Sequence, residues 1–215
     1  MKPQLTRYQA KSTINFFYKL KLSNYHVFEN GTISDMCDTN GKFLQTLTVY
    51  GHVFTTKSFK IWHNMLSRCS SSNQYKSNCY ANATICEEWQ DFSVFAKWCN
   101  EQASYHCQDF ELDSDLYMQG AKHYSPDTCL FIPSELNLFI MARSPKENGL
   151  PCAVYQVPSG KYTARYASKH LGTFSTPEAA SVAHAVAKVA RLEELLMEYA
   201  PWLDESVRSD LRAYV

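Results

Sequence analysis

Apolar side chains recur with helical spacing in the middle of this chain. Between residues 58 and 69 they fall on one predicted helical face, formed by Ile61, Trp62, Met65, Leu66 and Cys69. A second aromatic series follows at three-residue spacing, namely Trp89, Phe92, Phe95 and Trp98. We expect these rings to pack in a protein core, and base stacking by one of them is the alternative.

The first 57 residues show a different pattern, which predicts a β-rich module. A helix is expected around residues 14–22, and short β-prone segments then run from Tyr25 to Phe54. They are separated by Asn30-Gly31 and Asn40-Gly41. Asn-Gly pairs are typical of tight hairpin turns, because both central residues of such a turn take a positive φ.

The C-terminal part of the chain predicts three strands followed by one helix. Strands are expected at residues 153–157, 161–167 and 170–174, with a turn at residues 158–160. Alternation in the middle strand separates an apolar face from a polar face, with Lys161, Thr163 and Arg165 on the polar one. Thr176 and Pro177 are typical of an N-cap and a first helical turn, so a helix is expected from residue 177 to about residue 199.

The segment 112–137 carries most of the residues with candidate chemistry. It predicts a short strand bearing Asp113 and Asp115, a loop at Gly120, and a helical turn opened by Ser125. An apolar run over residues 129–132 follows, and Asn137 closes the segment. The two carboxylates could instead be solvated acids on the edge of a strand.

These patterns together predict an α+β chain made of several small modules. The order is a small β-rich N-terminal piece, a helical aromatic region that leads into a ββα finger, and a three-stranded antiparallel sheet covered by a helix. The expected boundaries are residues 1–57, residues 58–142, a linker at residues 143–150, and residues 151–215.

Composition limits the classes of protein to which this chain could belong. The 215 residues carry no net charge, which counts mildly against a dedicated nucleic-acid binder. No apolar run approaches the ~18 residues of a membrane span, and residues 1–7 lack the apolar core of a secretion signal. We therefore expect no membrane partner and an intracellular location.

The eight cysteines raise the question of a structural zinc ion. Four of them could converge on one ion, namely Cys69, Cys79, Cys86 and Cys129. The sequence contains no Cys-x-x-Cys pair, and such pairs make a zinc prediction strong. Reduced thiols are the expectation, and structural zinc is the alternative.

Segment 112–137 resembles the catalytic finger of phage HNH homing endonucleases. The resemblance rests on Leu112-Asp, Lys122-His-Tyr-Ser-Pro-Asp-Thr-Cys and Asn137. Residues 62–69 and 86–95 also resemble the Trp-x-x-Met-Leu-x-Arg-Cys and Cys-x-Glu-Trp-x-x-Phe-x-x-Phe patterns that precede this finger. The resemblance implies a ββα-metal finger that holds Mg²⁺ or Mn²⁺ against a phosphate of DNA.

The same resemblance implies the roles of individual residues. Asp113, Asp115 and Asn137 would hold the divalent ion. Ser114 stands where this family has its general-base histidine, and Thr128 stands where it has the first asparagine, while Ala121 replaces a turn asparagine. A serine cannot take a proton from water near neutral pH, so His123 is the nearby imidazole that could replace the missing base.

The C-terminal module is similar to the APETALA-two/ethylene-response family of DNA-binding domains. Gly160-Lys-Tyr-Thr-Ala-Arg and Leu171-Gly-Thr-Phe-Ser-Thr-Pro-Glu-Ala-Ala carry this resemblance. It implies that the sheet docks in the major groove of double-stranded DNA. Lys161, Thr163 and Arg165 would then contact DNA, with Tyr155 and Lys169 at the border.

Three functions remain open at this point. The first is a metal-dependent DNA endonuclease or nickase of the homing type, acting in the cytoplasm of an infected host cell. The second is a regulator or counter-defence protein built on a degenerate finger, which acts by binding DNA or protein without cleavage. The third is a protein-interaction module that uses the aromatic central region, with a host or phage protein as its partner.

Overall fold

A computed structural model describes residues 5–19, 31–70, 80, 82–107, 109–118, 122–140 and 149–214. Over these ranges the chain mixes helices and small sheets, as the α+β prediction requires. None of the helices found there is long and apolar enough to cross a membrane. The predicted strand at residues 25–28 and the predicted loop at Gly120 lie outside the described residues, as do Ala121, Cys79 and most of the predicted linker.

The helices are α1 Arg7–Lys19, α2 Lys57–Cys69, α3 Phe92–Glu101, α4 Ser134–Ile140, α5 Pro177–Glu198 and α6 Glu205–Tyr214. The strands are β1 Thr46–Val49, β2 His52–Thr55, β3 Thr84–Ile85, β4 Phe110–Asp113, β5 His123–Tyr124, β6 Leu130–Pro133, β7 Val154–Gln156, β8 Tyr162–Tyr166 and β9 Lys169–Phe174. The chain forms two compact units, Met1–Phe131 and Ile132–Val215.

Helix α1 begins seven residues earlier than the sequence pattern suggested. Thr6 and Gln9 form a reciprocal cap, in which Gln9 N–H donates to Thr6 Oγ1 and Thr6 N–H donates to Gln9 Oε1. This cap satisfies exposed backbone groups at the start of the helix, so the helix begins at Arg7. The apolar residues that suggested a start near Ile14 lie in its interior, where Ala10 and Ile14 join a small core.

In the described part of the N-terminal region, β1 and β2 form a regular hairpin. Strands β1 and β2 pair antiparallel, and they are joined by Tyr50 and Gly51, which both have positive φ. The predicted turn at Asn40-Gly41 is also present, because Cys37 and Phe43 form an antiparallel bridge across it. The sequence signalled the Asn-Gly turn, whereas the turn at Tyr50 lacks the usual Asn or Asp.

Helix α2 spans the predicted segment, and its N-terminus is capped by a residue that is distant in sequence. Thr56 occupies the N-cap position, but its hydroxyl donates to the carbonyls of Leu44 and Gln45 instead of capping the helix. Asp35 takes over that task, because its Oδ1 accepts the N–H of Ser58 at 3.1 Å. Residue 35 therefore fixes the start of α2 to the preceding loop.

The aromatic series forms a core, as predicted. Trp89 and Phe95 are completely buried, and their rings meet edge to face at 5.0 Å. Trp98 packs against Trp89 on one side and Phe131 on the other. The completely buried rings of Trp89 and Phe95 cannot stack on DNA bases.

Asp35 is also the centre of a polar cluster inside the first unit. Its Oδ2 accepts hydrogen bonds from Tyr105 Oη at 2.6 Å and from Asn100 Nδ2 at 2.9 Å. Lys57 donates to the carbonyls of Tyr105 and Cys107 beside it, and its ammonium lies 4.4 Å from the centre of the Tyr105 ring. Burial lowers the pKa of Lys57, and the negative charge of Asp35 opposes that change.

The segment after the aromatic core contains three short strands and a helix, in the order β4, β5, β6 and α4. Strand β4 lies beside β6, and α4 follows β6 directly. Ser125 opens a single helical turn, in which its carbonyl accepts the N–H groups of Thr128 and Cys129. This mixture of strands and a helix is compatible with the α+β prediction, and the ββα-metal finger stays a prediction.

The second unit contains the predicted three-stranded antiparallel sheet, in the order β7–β8–β9. Helix α5 packs against this sheet through Ala180, which forms a small core with Val154 and Ala164. Thr176 caps the helix by accepting the N–H of Ala179, and Pro177 lies in the first turn, as predicted. Arg212 of α6 pairs with Glu193 of α5.

We predict that Asp35→Ala will lower the free energy of unfolding of the first unit by about 2–4 kcal/mol. The substitution removes the acceptor of three hydrogen bonds from groups that lie in the interior of the unit. Urea unfolding followed by tryptophan fluorescence would measure this, because three of the four tryptophans belong to the first unit.

Asp38→Ala is the matched control for this substitution. Asp38 is exposed and accepts only the backbone N–H groups of Asn40 and Lys42 in a surface turn. Its loss should cost about 1 kcal/mol or less. Equal destabilisation by the two substitutions would contradict a central role for Asp35.

Candidate functional site

The side of the sheet that faces away from α5 carries most of the residues with candidate DNA contacts. Residues directly opposite each other in a sheet share a face, so the pairs Tyr155–Thr163, Thr163–Thr173 and Arg165–His170 place all five on this side. Lys161 joins them by alternation, because Tyr162 packs on the helix side. We call this surface the open face, and it consists of Tyr155, Lys161, Thr163, Arg165, His170 and Thr173.

The open face is free of acidic side chains. The sequence has no Asp or Glu between residues 149 and 177, although the whole chain has equal numbers of acidic and basic residues. Lys161, Arg165 and His170 are exposed there, and Tyr155 keeps 48% of its surface accessible. An acid-free sheet with exposed cations can attract a polyanion despite zero net charge.

Thr163 is on the predicted face, but it is buried. Its hydroxyl donates to the carbonyl of Gly172 at 3.0 Å, and Tyr155 and Thr173 flank it on the neighbouring strands. The central strand of a three-stranded sheet leaves little space around a short side chain. Thr163 therefore ties β8 to β9, while Arg165 and Lys161 extend beyond it into solvent.

Lys169 is exposed, but its pairing partner on β8 places it on the side of the sheet that faces α5. It pairs with Tyr166, whose ring lies 5.7 Å from His184 of α5. An irregularity between Ala164 and Arg165 shifts the pairing, so His170 stands opposite Arg165. Simple alternation along β9 would give the opposite assignment of the two residues, so the sequence pattern does not indicate that His170 lies on the open face.

In the first unit, Asp113 is a buried carboxylate that caps a turn. Only 4% of the residue is exposed, and its Oδ2 accepts the N–H groups of Asp115 and Leu116, each at 3.0 Å. This cap ends strand β4, so Asp115 lies in the turn and not on the predicted strand. Burial raises the pKa of Asp113 to about 6, although the two backbone hydrogen bonds work against that change.

The neighbours of Asp113 are already engaged with protein groups. Ser114 is buried, and its carbonyl accepts the N–H of Met118 within the turn. Asp115 forms an ion pair with Lys122, with 2.7 Å between Lys122 Nζ and each carboxylate oxygen. Ser114 is therefore a turn residue, and Asp115 is half of a largely buried ion pair.

His123 and Thr128 are held by local hydrogen bonds. His123 lies in β5, which pairs in parallel with β3, and its Nδ1 is 2.8 Å from Thr84 Oγ1. Thr128 Oγ1 donates to the carbonyl of His123 and accepts the N–H of Ser125 at 3.1 Å. Thr128 thus closes the turn that follows β5, in a structural role that the spacing alone did not indicate.

The structure places two of the three residues expected to hold a divalent ion in other surroundings. Asp115 is already neutralised by Lys122, and Asn137 is half-buried in α4. Across the described parts of the chain, no group of three histidine, cysteine, aspartate or glutamate side chains is placed to hold a metal ion. The cysteines that the structure describes, including Cys69, Cys86 and Cys129, form no disulfide.

Two residues with important contacts were missed at the sequence level. Lys122 neutralises Asp115. The two residues are seven positions apart in sequence and are separated by a predicted loop, so the sequence pattern does not indicate that they pair. Asp35 lies in a segment without regular structure, and its partners come from residues 23 to 70 positions away. Only three-dimensional proximity identifies such residues.

Comparison of the chain with protein-family models, with curated proteins and with solved structures finds no match.

We predict that Asp113→Asn will stabilise the chain at pH 8 and will have less effect at pH 4. The folded state keeps the Asp113 proton up to about pH 6, whereas an unfolded aspartate releases it near pH ~3.9. The folded chain therefore binds more protons between these values, and the wild type loses stability as pH rises through them. The amide removes this cost, which is about 3 kcal/mol, and it keeps an acceptor for the two N–H groups.

Thermal unfolding between pH 4 and pH 8 would measure this difference. Asp127→Asn is the control, because Asp127 is an exposed acid in the neighbouring turn. A lower melting temperature of Asp113→Asn than of the wild type at pH 8 would show that the charged carboxylate stabilises the fold.

Proposed function

We propose that this chain binds double-stranded DNA through the open face of its C-terminal sheet. The observation that carries the proposal is the absence of acidic residues from positions 149 to 177, combined with exposed Lys161, Arg165 and His170. Phosphate attraction supplies most of the non-specific affinity of DNA-binding proteins. A neutral chain that keeps one sheet free of acids has the charge distribution that this attraction requires.

The chemistry of the open face also suits contact with bases. Arg165 is exposed near one end of β8, and an arginine can donate two hydrogen bonds to guanine in the major groove. Tyr155 and Thr173 flank the buried Thr163 and offer hydroxyl and apolar surface to base edges. Strands inserted in a groove are an established way of reading DNA. Lys161 suits a backbone phosphate, because a flexible ammonium acts as a point charge.

We further propose that this binding occurs without strand cleavage. Candidate catalytic groups of the finger segment already serve the fold: Thr128 closes a turn, His123 bonds Thr84, and Asp115 pairs with Lys122. Ser114, at the position of the expected base, is buried and cannot activate water. The chain would act as a phage regulator or counter-defence protein that occupies DNA in the infected cell.

Arg165→Glu should weaken binding to a double-stranded DNA fragment by about tenfold or more. The substitution replaces a donor on the open face with a group that repels phosphate. Fluorescence anisotropy at two salt concentrations would measure it, and Lys97→Glu is the charge-matched control. Lys97 is exposed on α3 and forms only a long contact with Glu101. Equal losses in both variants would indicate a general charge effect, and no loss in Arg165→Glu would exclude docking through the open face.

Incubation of supercoiled plasmid with the wild type and Mg²⁺ or Mn²⁺ should give binding but no nicked product. We expect this result because Asp115, His123 and Thr128 already form contacts with other protein groups. Asp113→Ala serves as the control for contaminating nucleases. Metal-dependent nicking that disappears in Asp113→Ala would establish an active homing-type nuclease instead.

A further inference from the structure

In the ion pair between Lys122 and Asp115, the ammonium contacts both oxygens of the carboxylate. The ammonium lies 2.7 Å from each of the two carboxylate oxygens, so both oxygens contact the same cation. The side chains are only 15% and 29% exposed, which removes most of the water that would compete. Such a pair differs from the exposed ion pair between Lys97 and Glu101, which measures 4.0 Å.

The position of Lys122 is fixed from several directions. Its carbonyl accepts the N–H of Thr84, which extends the pairing of β3 with β5. Its ammonium also lies 4.8 Å from the centre of the Tyr80 ring, at a distance suited to a cation–π contact. Burial would lower the pKa of Lys122, but the hydrogen bond and the charge of Asp115 outweigh it and raise the pKa. The cation therefore stays charged and in place.

The partner carboxylate is fixed as well. The backbone N–H of Asp115 donates to Oδ2 of Asp113, so the Asp113 carboxylate lies beside the backbone of Asp115. The negative charge of Asp115 contributes to the raised pKa of Asp113, so the two carboxylates interact. Both hydrogen bonds that the structure gives Asp113 end on Oδ2. Two neighbouring carboxylates attract a cation, and hard oxygen ligands of this kind are the usual ligands of Mg²⁺ and Mn²⁺.

We propose that Lys122 supplies the cation of this turn and thereby excludes divalent metal from Asp113 and Asp115. A metal ion at Asp115 would have to displace an ammonium that contacts both carboxylate oxygens and is shielded from water. A metal ion on the same carboxylate oxygens would lie close to the Lys122 ammonium, and like charges at short range repel each other. Mg²⁺ also gives up its own water reluctantly. This inference concerns the first unit and is independent of DNA binding by the open face.

Removal of the lysine charge should convert the turn into a divalent metal site. In Lys122→Met, a side chain of similar length no longer neutralises Asp115, so this carboxylate loses its ion-pair partner. Electron paramagnetic resonance of Mn²⁺ with the full chain would measure binding directly. We expect Lys122→Met to bind Mn²⁺ at least about tenfold more tightly than the wild type, and Lys122→Arg to behave like the wild type.

The double variant Lys122→Met/Asp115→Asn is the matched control and should return to the wild-type level. A folded Lys122→Met variant that binds Mn²⁺ no better than the wild type would overturn the proposal. Melting temperatures of the wild type and Asp115→Asn with and without Mn²⁺ decide the question even if Lys122→Met fails to fold. We expect no shift in either protein, and a Mn²⁺-dependent rise that Asp115→Asn abolishes would show that the metal displaces Lys122.

Discussion

Both units depend on polar side chains that hydrogen-bond backbone groups outside their own strand or helix. Asp35 accepts the N–H of Ser58 at the start of α2, because the hydroxyl of Thr56 is used elsewhere. Asp113 ends β4 by capping the next turn, and Thr163 joins β8 to β9. An unpaired polar group in the interior costs about 1–3 kcal/mol, so each of these contacts restricts where its element can begin or end.

Periodicity predicted the regular elements well, because burial of one face dictates the spacing of apolar residues. It located α2, the aromatic core of α3, the three strands of the second unit and the start of α5 at Pro177. It failed where a local hydrogen bond sets the boundary. The cap between Thr6 and Gln9 starts α1 early, and the carboxylate of Asp113 places Asp115 in a turn.

The candidate sites were less predictable, because one residue of register changes which side chains share a face. The irregularity between Ala164 and Arg165 brings His170 opposite Arg165 and turns Lys169 toward the helix side. Strict alternation, which is all that the sequence offers, assigns these two residues the other way. The pairing of Lys122 with Asp115 was equally hidden, since it depends on how the turn after β4 meets the start of β5.

Zero net charge does not by itself argue against the proposed DNA partner, because the sheet of the second unit carries no acidic residue. Glu193, Glu194 and Glu205 lie on helices, where they pair with Arg191 and Arg212. The sheet keeps its cations without any acid between residues 149 and 177. Screening limits electrostatic attraction to about 10 Å at ordinary ionic strength, so DNA would experience the charges of the nearest surface and not the sum over the chain. The balance of charges that argued against DNA binding is therefore compatible with a sheet that attracts it.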